Sequence, residues 1–150
     1  SVDSVDSSAK AIELTERNIA LNGFGEKVHN SFCCDAIDYL HKSEKGRYDL
    51  IVVDPPAFAK HRDAINNALR AYKRLNAAAI EKVAPGGIIF TYSCSQAIDR
   101  QNFALAVFSA AAIAGRRVKI IHRLTQPADH PVNIYHPEGE YLKGLALYVE

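Results

Sequence analysis

Tryptophan and methionine are absent from this 150-residue sequence, and only three residues are cysteine. An odd number of cysteines, with Cys33 and Cys34 adjacent, is a poor disulfide framework, so we expect free thiols and a cytoplasmic protein. No apolar run approaches the roughly 18 residues that a membrane-spanning helix requires, so we expect no membrane association. No histidine and cysteine stand at the spacing of a zinc site, and we expect no metal.

An excess of one charge is also missing, because 18 Lys and Arg nearly balance 17 Asp and Glu to give a net charge of +1. This balance does not point to a nucleic-acid partner, but it does not exclude one if the basic residues share a face. Two basic groups, at 60–62 and 116–123, are able to contact phosphate, although an ordinary solvated surface is the simpler interpretation of each.

Apolar periodicity predicts strands that alternate with helices over a chain the length of one domain. The predicted helices cover 8–22, 36–43, 63–83 and 99–114, and the predicted strands end at residue 6 or cover 28–34, 48–54, 87–93, 118–124 and 142–149. This order favours an α/β fold with a doubly wound, mostly parallel sheet. The last two strands have no helix between them, which indicates an antiparallel hairpin at one edge of the sheet.

Three acids and a thiol stand where predicted strands end, at Asp6, Asp35, Asp54 and Cys94. Ligands of open α/β sheets bind beyond the carboxyl ends of the strands, so we expect these side chains on one rim. Asp6 is able to accept hydrogen bonds from the ribose of a nucleotide-like cofactor, with helix capping as an equally good interpretation. Asp35 is able to accept an adenine amino group, but a helix cap is favoured when this residue is considered alone.

The segment Asp54-Pro55-Pro56-Ala57-Phe58 is more specific. Its two prolines fix the backbone and donate no ladder hydrogen bond, so the chain leaves the sheet as a rigid extended loop whose carbonyls are free to face a ligand. Together with the Asp54 carboxylate, these carbonyls suit an exocyclic amino group. Phe58 offers a face for base stacking, worth roughly 1–3 kcal/mol in single-stranded nucleic-acid systems. A plain turn with a core phenylalanine is the alternative.

Cys94 lies between two serines at the end of the next predicted strand. If this strand neighbours the one that ends at Asp54, the two strand ends lie about 5 Å apart and share a pocket. A thiol there is able to add to C6 of a pyrimidine, which makes C5 nucleophilic enough to take a methyl group. A buried structural cysteine is the alternative, and it is our interpretation of Cys33 and Cys34.

Four segments carry a resemblance to a known family: VDSSAKAIELTERNIALNG, VVDPPAFAK, AYKRLNAAAIEKVAPGGIIFTYSCS and QPADHPVNIYHPEGEYLKGLAL. Together they resemble the bacterial ribosomal RNA cytosine-C5 methyltransferases whose full chains carry an N-terminal PUA domain. The resemblance covers essentially the whole chain. It implies a class I S-adenosylmethionine-dependent methyltransferase with a Rossmann-like sheet, S-adenosylmethionine as cofactor, and a cytosine of large-subunit ribosomal RNA as substrate.

The same resemblance implies a role for individual residues. The implied cofactor-binding residues are Asp6, Ser7, Asp35, Ala36 and Asp54. The implied substrate-binding residues are Pro55, Pro56, Phe58 and His130. Cys94 would be the nucleophile, and either Asp54 or a bound water would take the C5 proton. For His130, a contact with RNA and a role in stabilising its own loop remain open.

The glycine-rich strand-to-helix loop of the family is expected before Asp6, and the sequence begins without it. We therefore expect residues 1–150 to be the C-terminal part of a methyltransferase domain, without its first strand–helix unit and without the N-terminal RNA-binding region. Two other functions remain open: an amino methyltransferase that uses the Asp-Pro-Pro cradle without the thiol, and a non-catalytic fragment that supports RNA binding or dimerisation. Ribosomal RNA is the expected partner, and a homodimer is left open.

Overall fold

The computed structural model describes residues 1–24, 28–59 and 64–150 of the chain. The described residues form two compact units, residues 1–43 and residues 44–150. Strands and helices alternate in both units, as the apolar periodicity predicts. Among the described residues, no helix is both long and apolar enough to cross a membrane.

The first unit is a pair of parallel strands with two helices. Its elements are β1 (Val2–Asp6), α1 (Ala9–Leu21), β2 (His29–Cys33) and α2 (Ala36–Lys42). The parallel register sets Val2 opposite His29 and Asp6 opposite Cys33. Ser8 caps α1 by accepting a hydrogen bond from the Ala11 amide at 3.3 Å, as its position before the helix predicts.

The second unit is a four-stranded sheet with two long helices and a short 3-10 turn. Its elements are β3 (Tyr48–Val53), α3 (Ile65–Lys82), β4 (Val83–Ser93), α4 (Arg100–Ala114), β5 (Val118–Leu124), the turn Pro137–Gly139 and β6 (Lys143–Val149). The strand order is β3-β4-β6-β5, in which β3 and β4 are parallel and β6 is antiparallel to both of its neighbours. The final strand, β6, therefore lies between β4 and β5, and β5 is the edge strand.

A glycine allows this insertion. A Cβ atom at Gly144 would lie 2.8 Å from ring atoms of Tyr92 on β4 and 2.9 Å from Cβ of Leu124 on β5. Any larger side chain would force one of these neighbours to move. The rest of β6 is almost entirely buried, which its unbroken apolar run predicts for a strand that is covered on both faces.

The core of the second unit lies under α3 and α4. Apolar residues that recur at helical spacing face this core: Tyr72, Leu75 and Ala79 of α3 and Phe103 and Val107 of α4 are all buried. The predicted start of α3 at residue 63 lies outside the described residues.

The basic group at 116–123 is partly structural. The Arg116 guanidinium donates to the carbonyls of Ile80 and Val83 at 2.9 and 2.6 Å, so it caps the C-terminal end of α3. Arg117 pairs with the Glu150 carboxylate. The interpretation as a solvated surface is therefore wrong for Arg116, whose side chain binds main-chain oxygens. The other basic group, 60–62, lies outside the described residues.

Strand β4 begins four residues earlier than the sequence predicts. Val83 already pairs with Tyr48, and the pairing shifts register before Leu50 meets Ile88. Gly87 sits at this irregularity, where a Cβ atom would lie 2.9 Å from the Asp49 carbonyl oxygen. The helix ends at Lys82, before the Pro-Gly-Gly sequence, which lies within the irregular first part of β4 rather than in a separate loop.

Candidate active site

Asp6 is the last residue of β1, as predicted, and its side chain is exposed. Its Oδ1 accepts a hydrogen bond of 2.7 Å from the Ser8 amide. The main-chain oxygen of Asp6 accepts from the Cys34 amide at 3.1 Å, which ties the end of β1 to the residue after β2. Ser7, also exposed, accepts a weak contact of 3.8 Å from the Cys33 sulfur through its carbonyl. Cys33 is exposed and Cys34 is half-buried, so the interpretation of these two residues as buried structural cysteines is wrong. Oδ2 of Asp6 has no partner in the part of the chain that the structure describes.

Asp35 does not end a strand, because β2 stops at Cys33. Asp35 instead caps α2, and its Oδ1 accepts from the amides of Ile37 and Asp38 at 2.8 and 3.1 Å. The first turn of a helix has amides without helical partners, and an Asp at this position satisfies them. The capping interpretation is therefore correct for Asp35, and Ala36 is the first residue of the helix that it caps.

The geometry of the first unit fits a nucleoside-containing cofactor. Asp6 and Asp35 lie beyond the carboxyl ends of adjacent parallel strands, where ligands of such sheets bind. Each carboxylate is held by main-chain amides through Oδ1, and Oδ2 has no partner among the described residues. Two immobilised acceptors suit a pair of hydroxyls and an amino group. Asp54, the other predicted cofactor residue, belongs to the second unit.

In the second unit, the structure brings the thiol and the proline loop together. Strands β3 and β4 are parallel neighbours, as predicted, with Val53 opposite Thr91. Asp54 directly follows β3 and is exposed, and Cys94 directly follows β4. Cys94 is partly exposed, and its sulfur lies 4.0 Å from the Pro55 carbonyl oxygen. The sulfur therefore borders the proline loop rather than an apolar interior.

Both serines beside Cys94 are fully buried and bind one tyrosine hydroxyl. Ser93 Oγ donates to Tyr72 Oη at 2.9 Å, and Tyr72 Oη shares a hydrogen bond of 3.0 Å with Ser95 Oγ. Ser95 Oγ also accepts from the Ala59 amide at 3.2 Å. This Tyr72 network holds the residues on both sides of Cys94 and joins them to the end of the proline loop.

Phe58 is half-buried and contacts the same tyrosine. Its ring centroid is 4.8 Å from that of Tyr72, and Tyr72 in turn meets Phe103 edge-on at 5.4 Å. The core interpretation thus accounts for part of the Phe58 ring. Stacking of a base on this ring stays a prediction.

Lys143 is a polar residue of this site to which the sequence analysis assigns no role. It is the first residue of β6, lies opposite Ser93, and is only 7% exposed. Its Nζ donates to the Ser95 carbonyl oxygen at 2.5 Å. Burial lowers the pKa of Lys143, while the negative charge that Cys94 can carry acts in the opposite direction; nearby Arg100 lowers it further and Asp99 raises it. The sequence signal for this residue is a lysine that opens an otherwise apolar strand.

His130 lies apart from the thiol, in the segment between β5 and β6. Its side chain is exposed, and its Nδ1 is 3.5 Å from Asp129 Oδ2. A shallow cavity of about 230 Å³ is lined by Thr125, Gln126, Pro127, Ala128, His130, Pro131, Val132 and Glu140. Neither Asp54 nor Cys94 lines this cavity, so the structure does not place His130 with the other predicted substrate-binding residues.

Within the described ranges, no group of three or more His, Cys, Asp or Glu side chains is arranged to hold a metal ion.

Alternating strands and helices, acids at the strand ends and a reversed strand inserted next to the last edge strand define the class I methyltransferase type of α/β domain. A family model described as the methyltransferase small domain matches residues 1–119, and the chain belongs to this family. The predicted fold class is confirmed.

Known relatives extend this similarity. The chain is 40% identical over 152 residues to "Ribosomal RNA large subunit methyltransferase I" of Alteromonas mediterranea, and 38% identical over 151 residues to the protein of the same name from Shewanella denitrificans. Each alignment covers 99% of this chain and 38% of the relative, so the chain spans little more than a third of these curated relatives. A solved putative methyltransferase complexed with SAH matches 97% of this chain and 38% of its own, with a TM-score of 0.79 and 20% identity.

Proposed function

We propose that this chain is part of an S-adenosylmethionine-dependent methyltransferase that methylates C5 of a cytosine in large-subunit ribosomal RNA, through a covalent bond between Cys94 and C6 of the base. The observation that carries the proposal is the position of Cys94, a partly exposed residue whose sulfur lies 4.0 Å from the Pro55 carbonyl oxygen. The names of the relatives support ribosomal RNA as the substrate.

The first unit holds the cofactor in this proposal. Asp6, with Ser7 beside it, accepts the ribose hydroxyls, and Asp35, with Ala36, accepts the adenine amino group. Both carboxylates are already immobilised by main-chain amides, so little freedom is lost on binding. S-adenosylmethionine, when bound, supplies an electrophilic methyl group.

The second unit holds and activates the base. The carbonyls beside Pro55 and Pro56 and the Asp54 carboxylate accept the exocyclic amino group, and Phe58 contacts the face of the ring. The Cys94 sulfur, as a thiolate whose proton has passed to solvent, forms a bond to C6, and the C5=C6 electron pair moves to C5, which becomes a carbon nucleophile. The contact of the Cys94 sulfur with the Pro55 carbonyl oxygen, at 4.0 Å, supports this assignment of the nucleophile.

The cycle closes on residues of the same loop. After C5 has received the methyl group, its proton leaves, the C5=C6 bond re-forms, and the bond between sulfur and C6 breaks to return Cys94 as a thiolate. We assign the acceptance of this proton to Asp54, because its exposed carboxylate directly precedes the carbonyl that contacts the sulfur.

Trapping of the adduct tests the proposal. The intact protein that contains this chain is incubated with S-adenosylmethionine and large-subunit ribosomal RNA transcribed with 5-fluorocytidine. Fluorine at C5 cannot leave as a cation, so the adduct persists and migrates as a protein–RNA complex under denaturing conditions. We expect this complex with the wild-type protein and with the control Cys33→Ala, whose thiol is exposed in the first unit, and no complex with Cys94→Ala.

Mass spectrometry of nucleosides from unmodified RNA separates the proposal from the amino-methyltransferase alternative. A Cys94→Ala protein that still methylates its RNA, or a product that carries the methyl group on the exocyclic nitrogen, would contradict the covalent mechanism. Absence of any methylation by the wild-type intact protein would favour a non-catalytic role in RNA binding.

A further inference from the structure

Lys143 stands beside the Ser93-Cys94-Ser95 segment for two independent structural reasons. The antiparallel register of β4 and β6 sets its main chain opposite Ser93. Its side chain reaches past Cys94 to the next residue, where Nζ donates to the Ser95 carbonyl oxygen at 2.5 Å. The lysine as a whole is 7% exposed, and burial lowers the pKa of its amino group.

No carboxylate in the described part of the chain pairs with the ammonium group of Lys143. The charged and titratable groups around it are Cys94, Arg100 and Asp99. Asp99 uses both oxygens on Asn102, at 2.7 Å to the amide and 2.9 Å to the side chain, and Arg100 adds a second positive charge that pairs with Glu140. Among the described residues, Nζ has a single hydrogen-bond acceptor, a neutral carbonyl, although an ammonium carries three donors.

A buried ammonium without an anionic partner is costly, and an anion placed beside it offsets that cost. Of the three surrounding groups, Cys94 is the one that can become an anion and is not already held by another cation or by a helix terminus. We propose that Lys143 is the positioning residue of Cys94, an ammonium that stabilises the thiolate form of the nucleophile. This inference rests on the proposed function, in which Cys94 attacks the base.

The pair acts at two points of the proposed cycle. Before attack, the ammonium raises the share of Cys94 that is present as thiolate, which is the reactive form of a cysteine. In the adduct the sulfur is a neutral thioether, and Lys143 is again without an anion. Return of the electron pair to sulfur when C5 loses its proton restores the ion pair, so Lys143 also favours release of the methylated base. No additional reactant enters, because Lys143 keeps its proton throughout.

Alkylation of the free thiols measures this effect without RNA or cofactor. The intact protein is treated with iodoacetamide from pH 6 to pH 10, and the rates at Cys94 and Cys33 are read from peptide masses. Cys33, exposed and in the first unit, is the internal reference. The Cys94/Cys33 rate ratio at pH 7 is expected to fall about tenfold in Lys143→Met, the change produced by one unit of altered proton affinity, and to return toward the wild-type value at pH 10, where both thiols ionise.

A second variant separates charge from tethering. Lys143→Gln retains a donor for the Ser95 carbonyl but has no charge, so it should resemble Lys143→Met if charge matters and the wild-type protein if Lys143 only tethers the loop. A circular-dichroism spectrum and a urea unfolding transition like those of the wild-type protein report that each variant is folded. A pH-independent ratio, equal in the wild-type protein and in both folded variants, would overturn the inference.

The outcome is independent of the adduct experiment. A normal protein–RNA adduct together with an unchanged alkylation ratio would refute the role of Lys143 and leave the proposed function standing. A Lys143-dependent alkylation ratio without any adduct would refute the proposed function alone.

Discussion

Removal of one buried hydroxyl should loosen the segment that carries Cys94. In Tyr72→Phe the ring and its contacts with Phe58 and Phe103 remain, but the hydrogen bonds to Ser93 and Ser95, of 2.9 and 3.0 Å, are lost. Each net hydrogen bond contributes about 1 kcal/mol, and a buried hydroxyl left without a partner costs about 1–3 kcal/mol. Ser93 loses the acceptor of its hydroxyl but still accepts from the Ser95 amide at 3.4 Å, and Ser95 keeps the Ala59 amide, so we expect a loss of about 2 kcal/mol in the free energy of unfolding.

Urea denaturation of the intact protein measures this loss, with Tyr135→Phe as the matched control. Tyr135 is 86% exposed, and the same atom is removed without any buried partner. A double-mutant cycle with Ser95→Ala tests the pairing itself, because residues that share a hydrogen bond have non-additive effects. A loss below about 0.5 kcal/mol in Tyr72→Phe, or strict additivity with Ser95→Ala, would refute the assignment of this network as the anchor of the segment.

Two further predictions concern Lys143 and Asp6. Burial lowers the pKa of Lys143 below 10.5, so the folded protein binds this proton more weakly than the unfolded chain does. The ammonium group therefore lowers the free energy of unfolding at neutral pH. This loss disappears as the pH rises from the lowered pKa through 10.5. The wild-type protein should therefore gain stability relative to Lys143→Met between pH 7 and pH 10.5 in urea titrations, and a constant difference would contradict the burial argument. Asp6→Asn should weaken S-adenosylmethionine binding by the intact protein about 10- to 100-fold in calorimetry, because a hydrogen bond to a charged group contributes about 1.5–3 kcal/mol. Asp129→Asn, far along the sequence in an exposed loop, serves as the control. Equal affinities of the two variants would contradict the assignment of Asp6 to the cofactor site.

Local patterns were sufficient to predict the helices and strands of this chain. The Ser8 cap and the following apolar period predict a helix over 8–22, and α1 covers Ala9–Leu21. What the local pattern could not contain is the strand order, because insertion of β6 between β4 and β5 depends on pairing between distant segments. Gly144 is a local sign of that close packing, but a glycine within a strand is equally typical of a bulge or a bend, so it does not specify the neighbours of β6.

The site residues that could be predicted from the sequence are the reactive side chains that directly follow a strand. Asp54 and Cys94 follow β3 and β4 directly, so the rule that ligands bind at carboxyl ends found them from sequence. The role of Tyr72 could not be predicted from the local pattern, because the partners of its hydroxyl lie 21 and 23 residues away in the sequence. Asp35 shows the opposite case, in which a residue near a strand end serves a helix cap first.

The Ser93-Cys94-Ser95 segment shows why a substitution at one residue of this site cannot be read in isolation. Alternation along an extended chain turns Ser93 and Ser95 into the core and leaves the sulfur between them partly exposed. The hydroxyls of the two serines bind Tyr72, which fixes the backbone from one side. The carbonyl oxygen of Ser95 accepts a hydrogen bond from Lys143, whose ammonium group adds a positive charge beside the segment. A change at Ser95 therefore alters both the position of the sulfur and its electrostatic environment. The alkylation ratio responds to the charge, while the unfolding free energy responds to the anchor, so the two measurements together assign the effect of any variant in this segment.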